Sequence, residues 1–335
     1  MPLNRRILFA RVPQGLPVPG DFGQDTVETP SPGAGQFLSR TLWLSLDPYL
    51  RNIMKGHALY GVALRPGAPM HGETVSQVVE SQHPQFVPGD FVVGKNGWQE
   101  YALSDGQGVR KVDPAVAPLS TWLGVLGMPG LTGYAGLVYL GEPHPGQTVL
   151  VSAATGAVGG TVGQVARLMG SRAVGIAGSD EKCRYAVDEL GFDACINHRA
   201  GDLRSAIRQA CPDGVDVYFD NVGGDALAAA IGNLALHARI VLCGMIEAYS
   251  MDAPPVHGPF LGPVVGARAT IKGLVVYDHL HRMAEMQKVI GRWIREGRFR
   301  YREDVTDGLG NAPEGFCRLM RGENFGKSLV RVAVA

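Results

Sequence analysis

The rhythm of apolar and polar positions changes once along the chain, near residue 125. Before it, short alternating segments are cut by Pro and Gly, at residues 40–46, 73–80, 90–93 and 98–103. Period-two alternation sends successive side chains to opposite faces, so these segments read as strands. Turn signals at Arg65-Pro66-Gly67 and Val87-Pro88-Gly89-Asp90 separate them. An antiparallel, barrel-like β domain is expected, with the Pro- and Gly-rich residues 12–35 irregular.

After residue 148 the period lengthens. Strand patterns at 148–151, 173–177, 194–197, 215–219, 239–243 and 269–276 alternate with helical patterns at 159–169, 181–190, 203–210 and 225–236. This is the signature of a doubly wound parallel sheet. Met283, Met286, Ile290 and Ile294 then recur near helical spacing, and Gly297 is placed to end that helix. Residues 301–335 are expected to lose the βα rhythm. They end in the strand-like Ser328-Leu329-Val330-Arg331-Val332, which returns to the first domain. The fold class is therefore α/β, with one domain from 1–124 and 300–335 and a nucleotide-binding domain from 125–299.

The chemistry starts where the first parallel strand ends. Thr148-Val149-Leu150-Val151 runs into Ala154-Thr155-Gly156-Ala157-Val158-Gly159, and a helical pattern follows at once. Ala-x-Gly-x-x-Gly is close to the dinucleotide motif Gly-x-Gly-x-x-Gly. Small residues let the backbone turn sharply and let a pyrophosphate approach the helix N-terminus, whose amides and dipole favour an anion. The blander alternative is a turn that only packs helix on sheet. In NAD-binding folds an acidic residue at the end of the second strand meets the ribose hydroxyls. Here that end reads Ala177-Gly178-Ser179, with Lys182 close by, while Asp180 and Glu181 suit the first turn of the next helix. Ser179 and Lys182 make a seat for a 2′-phosphate, so NADP is expected over NAD.

Composition narrows the field. Over 335 residues, 31 Lys+Arg balance 31 Asp+Glu, which argues against a broad footprint for nucleic acid or an anionic membrane. No apolar run reaches transmembrane length. The short apolar stretch at 7–10 is followed by Arg11, Pro13 and Pro17, unlike a secretory signal, so a cytoplasmic protein is expected. The five cysteines are scattered, and none precedes Cys183. Met70-His71-Gly72-Glu73 is faintly like a zinc-binding segment of alcohol dehydrogenases, yet catalytic zinc of that kind needs a thiolate ligand. No metal is expected, and hydride transfer would rest on hydrogen-bond donors.

Several longer motifs occur in one order: Asp47-Pro48-Tyr49-Leu50-Arg51, Gly127-Met128-Pro129-Gly130-Leu131-Thr132-Gly133-Tyr134, the glycine turn, Gly178-Ser179-Asp180-Glu181-Lys182, Phe219-Asp220-Asn221-Val222-Gly223-Gly224 and Asn324-Phe325-Gly326-Lys327. With them the chain resembles zinc-free medium-chain dehydrogenases/reductases of the leukotriene/prostaglandin reductase type. The likeness is greatest to bacterial curcumin-reductase-like and plant double-bond reductase members. The resemblance implies a GroES-like β domain, a Rossmann domain, NADPH between them and a homodimer. It implies that Gly156, Ala157, Val158 and Gly159 meet the pyrophosphate and that Lys182 meets the 2′-phosphate. Asn221, the 243–249 loop with Cys243, Gly244 and Tyr249, then Leu274, Val275, Val276 and Asn324 would lie near the cofactor. Many relatives have Asn-Tyr after the third strand, where this chain has Asn197-His198, and the resemblance implies that His198 would stack or donate near the adenine ribose phosphate. Some mammalian relatives have a tyrosine where Gly266 falls here.

The reaction the resemblance implies is reduction of the activated double bond of an α,β-unsaturated ketone or aldehyde. Hydride goes to the β-carbon and charge develops on the carbonyl oxygen. Tyrosine or ribose hydroxyls would stabilise that enolate, with Tyr249, Tyr60 and Tyr49 as candidates. Quinone reduction and non-catalytic sensing of NADPH are the competing expectations.

Overall fold

The computed structural model describes residues 3–55, 63–251 and 258–334. The chain divides into two compact units, Met1–Gly124 with Glu303–Ala335, and Val125–Arg302. The first unit opens with β1 (Leu3–Phe9), antiparallel to β2 (Phe22–Glu28) from Leu3 opposite Glu28 to Phe9 opposite Phe22. Residues 12–35 are therefore not irregular throughout. The strand escaped the pattern because Asp25 interrupts the apolar alternation, and the structure pairs it with Arg6 of β1, Nε to Oδ1 at 2.9 Å. Then come β3 (Phe37–Ser45), α1 (Leu50–Ile53), β4 (Thr74–Ser81), β5 (Phe91–Gly94), β6 (Tyr101–Ser104) and β7 (Arg110–Val112). Strand β4 pairs along one edge of β3, and β6 takes only Phe37–Arg40 on the other edge. Phe37, Val78, Phe86 and Val92 form one buried cluster of this unit.

The second unit begins with α2 (Met128–Ala135), which runs into a wider helical turn at Gly136–Gly141. Strand and helix then alternate: β8 (Thr148–Ser152), α3 (Ala157–Leu168), β9 (Arg172–Ala177), α4 (Asp180–Asp188), β10 (Ala194–Asn197), α5 (Leu203–Ala210), β11 (Val215–Asp220), α6 (Gly224–Ile231) and β12 (Leu234–Leu242). After β12 follow α7 (Ile246–Tyr249), α8 (Gly262–Ala267), β13 (Thr270–Gly273) and α9 (Met283–Arg295). All six strands are parallel, in the order β10-β9-β8-β11-β12-β13. That is the doubly wound order, with its switch between β8 and β11. Leu150, Val174, Tyr218 and Ile240 are buried in its core. The helical pattern expected to 236 stops at Ile231, because the Asn233 side chain donates to Ala229 O at 2.9 Å and closes the helix. The apolar Leu234 and Leu236 that prolonged the pattern belong to β12.

The return to the first unit falls at Glu303, three residues after the position expected from the pattern. Arg300 stays behind because Gln164 of α3 grips its backbone on both sides, donating to Arg300 O at 2.9 Å and accepting from Arg300 N at 2.8 Å. The tail also keeps a βα rhythm, contrary to expectation. In it, β14 (Glu303–Asp307) and β15 (Lys327–Arg331) are parallel neighbours joined through α10 (Ala312–Met320). The first unit's main sheet then has the order β14-β15-β3-β4-β5-β7, with β6 beside β3. Among the described residues no helix is long and apolar enough to cross a membrane.

One buried ion pair fastens the tail. Lys327 Nζ donates to Asp47 Oδ1 at 3.0 Å and to Leu46 O at 2.7 Å, and the two side chains are only 6% and 8% exposed. Ser45 Oγ supplies the other Asp47 oxygen with a donor. Burial pushes the neighbouring Glu73 and Glu303 carboxyls up, so both are biased toward the neutral form and compete less for the lysine. Removing one member of such a pair leaves the other charge buried alone. Lys327→Met is therefore expected to destabilise the protein by about 3 kcal/mol or more, read by denaturant unfolding. Asp47→Asn added to it should restore part of the loss. A single variant as stable as the parent would show that the pair does not hold the tail.

Candidate functional site

Every residue of β8 is buried, and the chain leaves it through Ala153 at φ +52°, a left-handed conformation costly for a residue with a Cβ. Gly156 caps α3, and its amide donates to Ala153 O at 2.9 Å. A Cβ on Gly159 would lie 2.3 Å from that same carbonyl oxygen, so only glycine lets α3 start this close to the strand. Ala157, Val158 and Gly159 form the first turn, where backbone amides lack intrahelical acceptors and the helix dipole is positive. The glycine turn thus ends in a tight helix start whose first-turn amides are suited to an anion.

Beside it, Asp220 at the end of β11 is fully buried. Its Oδ1 accepts from Tyr218 OH at 2.8 Å, Ser152 Oγ at 3.0 Å and Val222 N at 3.0 Å, and both oxygens accept from Gly223 N. Burial raises the Tyr218 hydroxyl well above its usual range, which keeps it a neutral donor. Asn221 follows, with its amide donating to Ser152 Oγ and its Nδ2 to Ser152 O, both at 2.8 Å. The Asn221 side chain is therefore a brace between the ends of β11 and β8. The backbone of Asp220 carries the next loop, since Cys243 N and Gly244 N both donate to its carbonyl. Burial, then the Asp220 charge, pushes the Cys243 thiol up to about 12. Within that loop Tyr249 closes α7, half-buried, and its hydroxyl accepts from Met245 N at 3.3 Å. Leu274 N donates to Leu242 O at 2.9 Å, and the Leu274 side chain is buried against Gly136. Val275 is extended and Val276 starts a short 3-10 segment.

The end of β9 is cationic. Ser179 caps α4 by accepting from Lys182 N at 3.2 Å. His198 N donates to Ala177 O at 3.0 Å, which brings the turn after β10 alongside Gly178. A Cβ on Gly178 would lie 3.4 Å from His198 Nε2 and 3.8 Å from the Arg199 guanidinium carbon. The His198 residue is exposed as a whole, but its imidazole faces this backbone. Its pKa is lowered, first by desolvation, then by the charges of Arg199 and Lys182. Two basic side chains, His198 and Arg199, therefore lie against one small-residue turn, and the Lys182 charge acts on His198 from α4, an arrangement suited to an anion. Pattern reading supplied Ser179 and Lys182, the resemblance pointed to His198, and Arg199 was missed. Asn197-His198-Arg199 was legible as a basic turn, but only the strand pairing places it against Gly178. Ser152 and Asp220 were also missed as supports, although Asp220 stood within a quoted motif.

Tyr49 and Asn324 belong to the first unit, where Tyr49 precedes α1 and Asn324 Nδ2 donates to Gly326 O at 2.9 Å. Tyr60 lies outside the described residues. The tail brings one cysteine, Cys317, into the first unit, with its thiol pushed up to about 11 by burial. Among the described residues no three His, Cys, Asp or Glu side chains gather as metal ligands would, and His71 is exposed.

Comparison with known proteins places this geometry. Residues 5–112 match a family model for the N-terminal domain of oxidoreductase, and residues 157–292 match one described as zinc-binding dehydrogenase. The chain is 44% identical to the NADPH-dependent curcumin reductase of Escherichia coli K12, over 98% of its own length and 97% of that protein's. It is 38% identical to the NADP(+)-dependent 2-alkenal reductase of Nicotiana tabacum, over 98% of each chain. The crystal structure of CurA in complex with NADPH from Vibrio vulnificus matches with a TM-score of 0.94 at 40% identity, over 99% of this chain and 100% of that one.

Proposed function

The chain belongs to the medium-chain dehydrogenase/reductase family, in its leukotriene/prostaglandin reductase type, and we propose that it is an NADPH-dependent reductase of activated carbon–carbon double bonds in α,β-unsaturated ketones or aldehydes. The observation that carries this reading is the turn at Gly178, where Arg199 and His198 lie beside the Ser179 cap and the Lys182 charge acts on His198. It fits a dinucleotide bearing a 2′-phosphate, and the α3 start closed to any Cβ at Gly159 fits its pyrophosphate. Relatives named for curcumin and 2-alkenal reduction support the substrate class.

When bound, NADPH supplies the hydride that the β-carbon accepts. The protein's share is positioning and charge. Gly156, Ala157, Val158 and Gly159 receive the pyrophosphate, and Ser179, Lys182, His198 and Arg199 hold the 2′-phosphate. Asn221, Cys243, Gly244, Leu274, Val275, Val276 and Asn324 serve the rest of the cofactor, Asn221 mainly by bracing its strand ends. Tyr249 donates its hydroxyl proton toward the carbonyl oxygen as enolate charge forms. That hydroxyl accepts from the Met245 amide, and toward a carbonyl oxygen, which only accepts, it would act as a donor. Tyr49 and Tyr60 are the secondary candidates.

A screen of NADPH oxidation against enals, enones and quinones, with product identification, tests the reading. Saturated carbonyl products are expected, and turnover of quinones alone would overturn it. In the same assay Tyr249→Phe should lower turnover about a hundredfold, some 3 kcal/mol, with little change in NADPH binding. Full turnover by that variant would remove Tyr249 from the chemistry.

The turn at Gly178 makes a second prediction. Charge-assisted hydrogen bonds are worth roughly 1.5–3 kcal/mol, so Arg199→Ala or Lys182→Ala should raise KM for NADPH about tenfold or more and leave KM for NADH unchanged. His198, lowered while the turn lacks an anion, gains a counter-charge when phosphate arrives, and its pKa rises. Its contribution to binding is full below the free value and fades as pH rises through the bound value. NADPH affinity should therefore tighten as pH falls within about 5–8, and His198→Ala should flatten that dependence. An unchanged profile in the variant would place His198 outside the phosphate site.

We further propose a cytoplasmic homodimer. All five cysteines are unpaired, as suits a reducing compartment. Strand β13 is the edge of the six-stranded sheet, with Ile271 41% exposed and, before it, Phe260 82% and Val265 78% exposed. An open edge flanked by apolar side chains is a template for pairing with a second copy. Light scattering should give twice the 35.7 kDa chain mass, and Ile271→Lys should shift it toward monomer. A monomeric parent protein would rule out this edge as an interface.

A further inference from the structure

Two thiols that the reaction does not use meet beside the proposed phosphate seat. Cys195 stands opposite Gly175 in the β10–β9 pairing, and its Sγ is 3.0 Å from where a Cβ on Gly175 would be. The sulfur fills room that the glycine leaves, and the Ala154 methyl, 2.6 Å from the same point, closes the other side. Cys183 is the fourth residue of α4, and its amide donates to Ser179 O at 3.0 Å. Its sulfur accepts from the Ala177 backbone and from the Cys195 thiol. Helix and strand thus bring both sulfurs, each half-buried, into contact over the same stretch of sheet. The hydrogen bond from Cys195 favours thiolate on Cys183 against burial and the Asp180 charge, with a smaller aid from the Ala177 amide, while Cys195 keeps its proton. Burial raises Cys211, Cys243 and Cys317 to about 11, 12 and 11, so Cys183 is the thiol poised to react.

We propose that Cys183 and Cys195 form a reversible disulfide on exposure to hydroperoxide, and that this cross-link weakens NADPH binding. The second half rests on the proposed 2′-phosphate seat. The Cys183 thiolate attacks a peroxide oxygen. An S–O bond forms, the O–O bond breaks, and water or an alcohol leaves after taking up a proton. The sulfur is oxidised by two electrons as the hydroperoxide is reduced. The Cys195 sulfur then attacks the sulfenic sulfur, forming S–S and breaking S–O, and its thiol proton leaves with the hydroxyl as water. The sum is two thiols and one hydroperoxide giving one disulfide, one alcohol or water, and one further water. A disulfide holds sulfurs at about 2.05 Å, closer than any thiol contact. It draws the first turn of α4, with Ser179 and Lys182, toward the end of β10, with Asn197, His198 and Arg199. The cations beside Gly178 are then no longer spaced for a phosphate.

The test treats the reduced full-length protein with hydrogen peroxide, maps its peptides by mass spectrometry and measures NADPH and NADH affinity by fluorescence. A Cys183–Cys195 linked peptide, lost on adding dithiothreitol, and a rise of about fivefold or more in the NADPH Kd are expected, with NADH affinity unchanged. Cys183→Ser and Cys195→Ser should each keep the reduced NADPH Kd after peroxide. Free Cys183 and Cys195 after treatment would overturn the proposal, and so would a linked peptide with unaltered NADPH affinity. Reduced protein that binds NADPH no better than NADH would instead sink the phosphate seat, whatever the peptide map shows.

Discussion

Much of the second unit's functional end hangs on the need to satisfy one buried carboxylate. Asp220 has no water to turn to, so each of its lone pairs must find a donor within the fold. Ser152 provides one from the end of β8, Tyr218 one from its own strand, and Val222 and Gly223 provide two from the turn before α6. Its carbonyl collects Cys243 and Gly244 from the end of β12. Three strand ends are thereby held in register at the place where a doubly wound sheet opens its crevice. A half-satisfied carboxylate there would cost more than an apolar side chain, so these partners stand or fall together. Asn221 and the loop leading to Tyr249 inherit their positions from that network.

The two anion-facing features of the unit are built differently. At α3 the device is backbone: a dipole, unpaired first-turn amides and a glycine that lets them come close. At Gly178 it is side-chain charge, with His198 and Arg199 against a residue that has no side chain of its own and the Lys182 charge acting on His198. The first is blind to which dinucleotide arrives. On the proposed function the second would act on a phosphate that only one of them carries, so cofactor choice would rest on the turn after β9 and the turn after β10. In a chain with no net charge, such selectivity would come from local charge and not from a global field.

The inner strands β8, β9 and β11 were legible because each is a short apolar run bounded by turn signals, and burial on both faces leaves little else such a run can be. The glycine turn was legible because a close approach leaves a sequence trace. Much of what escaped has one cause: polar residues that take their place only through a partner elsewhere in the chain. Strand β2 carries Asp25, which reads as surface until Arg6 is set beside it. Lys327 reads as an exposed lysine until β15 lies against the end of β3. Arg199 reaches the Gly178 turn only through β10–β9 pairing. The end of α6 was misplaced for a related reason, since Asn233 acts through a side-chain bond to Ala229 that apolar periodicity does not register.

The same reasoning bears on the thiol pair. Gly175 and Ala154 look like two unrelated small residues, one in a strand and one in the glycine turn. The structure makes them complementary: the methyl that replaces the motif's first glycine is received where β9 lacks a Cβ, and the space left over holds Cys195. A Cβ at 175 would collide with both. The sulfur contact is therefore a by-product of how this chain packs its variant of the dinucleotide turn, which ties the redox chemistry of one side chain to the geometry of the cofactor motif. The cross-link would act on the side-chain seat at Gly178, the part of the site that tells the two dinucleotides apart, and leave the backbone seat at α3 as it is.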